Sequence, residues 1–110
     1  IGKNYPGFGP IGPWVVTADD IPDPSCLRVS LRVNGQVLQD ESCTDMVFSF
    51  PQLISFWSKS NLGPGEMIAS GTPEGVALHR KPDPDPFYLK PGDVVEAEVD
   101  AIGVLTTHIV

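Results

Sequence analysis

The sequence predicts a mixed, mainly β fold in a single domain with one short packing helix. Eleven glycines and twelve prolines occupy 23 of the 110 positions, a composition typical of many turns between short strands. Apolar and polar side chains alternate on both sides of Asn34-Gly35, which is the strongest short-range signature of a β-hairpin. Helical periodicity is convincing only in residues 49–58. A length of 110 residues allows one modest core.

The acidic composition excludes several classes of partner. Fourteen acidic against seven basic side chains give a net charge of −7, which argues against nucleic acid and against an anionic membrane surface. No stretch approaches the roughly 20 apolar residues of a membrane span, and the first residues do not form a signal peptide. We therefore predict a cytoplasmic protein without nucleic-acid or membrane partners, in which an anionic substrate needs local positive charge.

The first segment, residues 1–13, predicts a loop because it contains four glycines and three prolines. Trp14-Val15-Val16-Thr17 is a short β-prone run. The chain begins Ile-Gly-Lys inside this loop, and we expect a piece of a longer protein whose preceding part contains half of the functional site.

The two cysteines, Cys26 and Cys43, lack the spacing of a zinc or redox motif. We expect them to be buried free thiols. A disulfide between them is the alternative that the sequence leaves open.

The clearest strand pair lies between Cys26 and Ser42. Its apolar positions share one face by alternation, and we expect Arg28 and Arg32 on the opposite, solvated face. Near the C-terminus, residues 94–99 and 101–110 predict a closing hairpin, on which His108 is more plausibly structural than catalytic.

The predicted helix has both a start signal and an apolar face. Ser49 can cap it, and Pro51 suits its first turn. We expect its face to pack onto the core, with Trp57 as a core residue rather than a ligand platform. The face consists of Phe50, Leu53, Ile54 and Trp57.

The chain is organised around a turn that follows a short apolar run. Met67-Ile68-Ala69 predicts a buried strand that ends at Gly71-Thr72-Pro73. Gly71 can take a positive φ or admit a close approach, and Pro73 biases Thr72 towards an extended conformation. The Thr72 hydroxyl is then available to a small carboxylate or carbonyl; an ordinary tight turn is the alternative.

The proline-rich segment 78–86 predicts an exposed excursion. His79-Arg80-Lys81 brings the local positive charge that an anionic ligand requires, although a plain surface loop fits the same residues.

Five motifs together resemble the C-terminal part of the fumarylacetoacetate hydrolase family. They agree with the family in order and spacing over nearly the whole chain. They are G-K-x-x-x-x-F-x-P-x-G-P-W at 2–14, V-N-G-x-x-x-Q at 33–39, T-D-M at 44–46, P-G-E-M-I-A-S-G-T-P-E-G-V at 64–76 and L-K-P-G-D-V-V-E at 89–96.

The resemblance implies a fumarylacetoacetase-like β-roll, with residues 1–110 as the C-terminal portion of a catalytic domain that is usually dimeric. It implies an enzyme acting on a 2-oxo acid or β-diketo acid. We expect C–C bond hydrolysis of an acylpyruvate-like substrate through a metal-stabilised enolate, with decarboxylation, isomerisation and dehydration as alternatives. The implied cofactor is Mg²⁺, or Mn²⁺ or Ca²⁺ in its place.

The resemblance also assigns roles residue by residue. Lys3 matches the family's catalytic lysine, and Thr72, with Gly71 beside it, matches the threonine that binds a substrate carboxylate or oxo group. Tyr5, where many relatives carry Phe, is expected to line the pocket.

The chain departs from the family in the metal ligands, which are a Glu-x-Glu pair and an Asp that precede the G-K motif. Glu96-Ala97-Glu98 has the spacing but stands outside the matching register. We therefore expect no metal ligand in this chain. A non-catalytic β-rich domain that binds a small acid or a protein is the alternative function.

Overall fold

A four-stranded antiparallel sheet is the largest regular element of residues 4–110, the part of the chain that the computed structural model describes. The strands run in the order β2-β1-β3-β4. Each of the two predicted hairpins is confirmed, and pairing of β1 with β3 joins them into one sheet. Their bounds are β1 Arg28–Val33, β2 Gln36–Ser42, β3 Val94–Val99 and β4 Gly103–His108.

The predicted Asn-Gly turn links the hairpins as well as closing the first one. Asn34 and Gly35 both have positive φ, 51° and 80°, as a type I′ turn requires. The Asn34 Nδ2 donates to Asp93 Oδ1 at 2.8 Å, and its Oδ1 accepts from the Val94 N–H at 2.9 Å. One turn residue thereby fixes where β3 begins.

The apolar face of the sheet follows the predicted alternation. Val29, Leu31 and Val33 stand opposite Val99, Ala97 and Val95, respectively. On the other face, Arg32 contacts Glu98 at 2.9 Å and Glu96 at 3.5 Å, so both carboxylates of the Glu-x-Glu sequence face a guanidinium.

A β-bulge interrupts β2, and the alternation of the sequence did not predict it. Leu31 stands opposite Gln39 but Arg32 stands opposite Val37, which leaves Leu38 as the extra residue. Val37 lies before the bulge, opposite Arg32 on the polar face, where it is 54% exposed; beyond the bulge, Gln39 and Glu41 stand opposite the apolar residues Leu31 and Val29.

The predicted helix is present as α1, Phe50–Trp57. The Ser49 N–H donates to Gln52 Oε1 at 2.8 Å, and a 3-10 turn, Ser58–Ser60, continues to Asn61 at φ 64°. The expected burial of its apolar face is met only in part within residues 4–110. Phe50 and Leu53 are half-buried, whereas Ile54 is 54% and Trp57 45% exposed, so the prediction that Trp57 is a core residue is wrong there.

Two predicted strands, residues 67–69 and 14–17, are also absent from the described part of the chain. A strand requires a hydrogen-bonding partner, and neither segment pairs with one there; Met67 is exposed. Trp14 instead donates its indole N–H to the Ile102 carbonyl and packs its ring against Gly103.

Cys26 and Cys43 are free, so the open alternative of a disulfide is not realised. The expected burial is wrong for Cys26, which is exposed in the 3-10 turn Pro24–Cys26. Its thiol donates to Asp23 Oδ2 at 3.3 Å, and this hydrogen bond raises the pKa of Cys26.

The connections between sheet and helix are irregular segments that contain short 3-10 turns, and residues 4–110 contain no fully buried side chain. No helix in this range has the length and apolarity needed to cross a membrane. The remaining 3-10 turns are Cys43–Asp45, Ala77–His79 and Asp85–Phe87.

Candidate functional site

Thr72 is exposed in the segment that the sequence singled out. The chain there is irregular and bends at Glu74, and the segment is called the Gly-Thr-Pro turn below. Gly71 has φ 118°, a conformation that favours glycine, and a Cβ there would meet nothing within 4 Å in the described structure. Gly71 therefore shapes the turn and leaves open space beside the Thr72 hydroxyl.

Thr72 and Gly71 line a cleft of about 640 Å³. Its apolar wall comes from the sheet, through Val29 and Val99, and from the start of α1, through Leu53. Most small-molecule pockets combine such an apolar wall with a few polar groups. The Thr72 hydroxyl is one of those polar groups.

The cleft is acidic. Glu41, Asp45 and Glu74 contribute to its lining, and no lysine or arginine of residues 4–110 does. Bringing an anionic ligand here requires positive charge from elsewhere, because like charges repel at short range.

The positive charge is expected from the Lys3 ammonium group and from a metal ion. Lys3 lies outside the described residues, so its position relative to Thr72 stays a prediction. Between residues 4 and 110, no three His, Cys, Asp or Glu side chains converge to hold a metal ion. These residues alone do not form a metal site.

A second cleft, of about 390 Å³, adjoins the first and shares Glu41 and Glu74 with it. Arg80 closes part of it by donating from Nη2 to the Leu38 carbonyl at 2.6 Å and from Nε to the Gly75 carbonyl at 3.2 Å. Its guanidinium also lies 4.8 Å from the centre of the Phe87 ring. The Arg80 guanidinium thus binds backbone carbonyls, while the side chains of His79 and Lys81 are exposed at the same cleft.

Gly75 is a functionally placed residue that the local sequence pattern did not single out. It has φ 110°, and an added Cβ would collide with the Leu38 carbonyl of the bulge. Only glycine lets the turn approach β2 so closely. The available signal was the second glycine of the G-T-P-E-G motif.

Gln39 was missed as well. Its Nε2 donates to Thr72 Oγ1 at 3.1 Å and to the Pro73 carbonyl at 2.7 Å. No local pattern points to this contact; only its place at the end of the V-N-G-x-x-x-Q motif singles it out.

Tyr5 is 61% exposed, and its ring centre lies 5.5 Å from that of Phe8. It lines neither of the two clefts formed by the described residues. Its role in a pocket stays a prediction.

The four-stranded sheet, the short helix and the exposed Gly-Thr-Pro turn define a mainly β fold with an open cleft. Residues 1–110 match the family model described as fumarylacetoacetate (FAA) hydrolase C-terminal. The chain belongs to this family, whose members include hydrolases and isomerases.

Individual relatives agree with this assignment in sequence and in fold. The chain is 41% identical over 111 aligned residues to the mitochondrial oxaloacetate tautomerase Fahd2a of Rattus norvegicus, covering all of this chain and 34% of that protein. The fumarylacetoacetate hydrolase of psychrophilic Exiguobacterium antarcticum superposes with a TM-score of 0.86 at 38% identity, covering 94% of this chain and 36% of that one.

A further solved structure is maleylpyruvate hydrolase from Sphingobium sp. SYK-6 in complex with manganese(II) and pyruvate. Its TM-score is 0.82 at 35% identity, with 94% of this chain and 36% of that one covered. These structures confirm the predicted fold class. The chain spans about a third of the length of the relatives that it matches.

Proposed function

We propose that the chain is the C-terminal portion of the catalytic domain of a longer enzyme, called here the full-length protein. The enzyme acts on a 2-oxo acid or β-diketo acid, by C–C bond hydrolysis of an acylpyruvate-like substrate. The observation that carries this proposal is the Thr72 hydroxyl at an open cleft in a chain of this family. Isomerisation is the second candidate, because the rat relative is named a tautomerase.

In this proposal Thr72 donates a hydrogen bond to a substrate carboxylate or oxo group, and Gly71 leaves room for that group. The acidic cleft supports the assignment of Lys3 as the catalytic cation, since an oxo acid needs a compensating charge there. Tyr5 belongs to the proposal as a pocket residue.

The proposal includes a divalent cation, Mg²⁺ or alternatively Mn²⁺ or Ca²⁺, with ligands in residues that precede this chain. Manganese in the maleylpyruvate hydrolase supports the class of metal. We further propose a homodimer in the cytoplasm, although the rat relative's name places that protein in mitochondria.

Kinetics of single variants test the roles. In the full-length protein, Thr72→Val and Lys3→Ala should each lower kcat/KM by at least about tenfold, because each removes about 1.4 kcal/mol or more of transition-state stabilisation. Assays with an acylpyruvate and with oxaloacetate separate hydrolysis, which releases two acids, from tautomerisation, which releases none.

The matched control is Thr106→Val, which makes the same change at an exposed position on β4. Its kinetics should stay within about twofold of wild type. Wild-type kinetics for both Thr72→Val and Lys3→Ala would remove the proposed roles.

A further inference from the structure

We propose that Gln39 is a positioning residue that sets the direction of the Thr72 hydroxyl proton. It makes that hydroxyl a hydrogen-bond donor towards the cleft and thereby selects a ligand oxygen that carries negative charge. This inference rests on the proposed function of Thr72.

The orientation of the Gln39 amide follows from its partners. The Pro73 carbonyl can only accept a hydrogen bond, and it lies 2.7 Å from the Gln39 side chain. The group that faces it must therefore be the NH₂, which settles the assignment of nitrogen and oxygen. The same NH₂ lies 3.1 Å from Thr72 Oγ1.

Because the Gln39 NH₂ group can only donate, the Thr72 hydroxyl oxygen accepts the hydrogen bond between them. A hydroxyl has a single hydrogen and two lone pairs. Because one lone pair accepts from Gln39, the hydrogen remains for another partner. Among the hydrogen bonds of residues 4–110, the one with Gln39 is the only one that the Thr72 side chain makes.

The two side chains belong to neighbouring clefts. Thr72 lines the larger cleft, whereas Gln39 lines the smaller one, and Glu41 and Glu74 line both. Gln39 is not part of the larger cleft's lining, so it engages the Thr72 oxygen from outside that cleft and leaves the hydroxyl hydrogen for a ligand within it. A ligand there meets a donor.

The backbone around Gln39 keeps this contact in place. Gln39 follows the bulged residue Leu38, whose carbonyl is bound by Arg80 and closely approached by Gly75. Bulges commonly redirect a side chain next to a functional site. The bulge and the turn are thus tied at two further points beside the Gln39 contact, which keeps the amide within reach of Thr72.

The experiment compares two ligands of nearly equal shape, pyruvate and pyruvamide, in the full-length protein with Mn²⁺. Gln39→Glu replaces the donating NH₂ by a carboxylate, which accepts the Thr72 proton and turns a lone pair of the hydroxyl towards the cleft. Titration calorimetry at about pH 8 should show pyruvate binding weakened by about tenfold and pyruvamide binding by less than about threefold. The selectivity for the charged ligand falls. Because the introduced carboxylate by itself also repels pyruvate, Gln39→Glu in the Thr72→Val background measures that share, and a loss no larger in the presence of Thr72 than in its absence overturns the role of Gln39.

A pH series adds a signature that loss of packing does not produce. Relative to wild type, pyruvate binding by Gln39→Glu should recover in part towards about pH 5, since the introduced carboxyl becomes protonated and can again donate. The matched control is Gln36→Glu, the same change at an exposed position of β2. It should leave both affinities within about twofold of wild type.

The outcomes separate this inference from the function on which it rests. Weakened pyruvate binding by Thr72→Val together with unchanged binding by Gln39→Glu overturns the role of Gln39 alone. Equal weakening of both ligands by Gln39→Glu, with a lowered thermal midpoint and no recovery at acid pH, also overturns it, because Gln39 is then only structural. Failure of wild type to bind pyruvate, or of Thr72→Val to weaken that binding, overturns the proposed function and this inference with it.

Discussion

At the scale of single residues, the two glycines of the G-T-P-E-G motif have different structural roles. Gly71 stands in open space, and its φ of 118° shapes the turn. Gly75 combines a φ of 110° with a collision between any added Cβ and the Leu38 carbonyl. The second glycine therefore sets the distance between the turn and the sheet, while the first sets the direction of the chain beside Thr72.

Gly75→Ala should lower the free energy of unfolding of the full-length protein by about 1–3 kcal/mol, because alanine is strained at this φ and its methyl group displaces the bulge. Urea unfolding of the variant measures the loss. Gly63→Ala is the matched control, since a Cβ at Gly63 meets nothing within 4 Å in the described structure. Equal effects of the two substitutions would contradict a special role for the Gly75 contact.

The exposure of Thr72 could be predicted from the sequence, whereas its hydrogen bond with Gln39 could not. The exposure of Thr72 follows from its immediate neighbours, Gly71 and Pro73. Gln39 is 33 positions away in sequence, and only the folded sheet brings it to the turn. Long-range side-chain contacts of this kind leave no local pattern to read.

At the scale of elements, alternation predicted pairing well and predicted burial badly. Both hairpins were predictable because the apolar residues and the Asn34-Gly35 turn specify local partners. The run Met67-Ile68-Ala69 and the apolar face of α1 indicate that a cover is needed but do not identify it. Within residues 4–110, residues 67–69 form no strand and Trp57 is 45% exposed, because no described segment packs over them.

Asp93 links elements and gives the fold an acid-sensitive point. The Asn34 side chain and the Lys90 N–H donate to its carboxylate, which lowers the pKa of Asp93 below its ordinary value of 3.8. The folded state thus binds a proton here less readily than the unfolded state does. The stability contributed by this carboxylate is complete above about pH 3.8 and is lost as the pH falls through the lowered pKa.

Asp93→Asn should therefore lower the thermal midpoint at neutral pH and flatten its decline on acidification below pH 3.8. Thermal melts of the full-length protein between about pH 7 and 2.5 measure both effects. Asp100→Asn makes the same change in the exposed turn between β3 and β4 and should keep the wild-type profile. A wild-type slope in Asp93→Asn would show that the turn contacts do not couple to folding.

At the scale of the whole molecule, the chain exposes more surface than its mass predicts. A folded monomer of 11.8 kDa should expose about 5,900 Å², whereas this chain exposes 8523 Å². Its radius of gyration, 15.2 Å, likewise exceeds the roughly 13 Å of a compact domain of this length. The surplus of about 2,600 Å² is of the size that obligate interfaces bury.

The surplus includes large apolar side chains on α1 and in the segment before it, where Phe48 is 60% and Phe56 is 62% exposed. Apolar area of this extent disfavours an isolated folded monomer, because each Å² left in water forgoes about 25 cal/mol.

Residues 1–110 expressed alone should therefore bind 8-anilinonaphthalene-1-sulfonate and melt over a broad range, as chains without fixed packing do. The full-length protein, in which other residues can cover these side chains, should bind little dye and melt cooperatively. Dye fluorescence and near-ultraviolet circular dichroism compare the two proteins, and light scattering reports whether copies of the short chain cover one another. A short chain that is monomeric, excludes the dye and melts sharply would show that its sheet and helix need no partner surface, and the proposal that they form one portion of a larger catalytic domain would lose this physical basis.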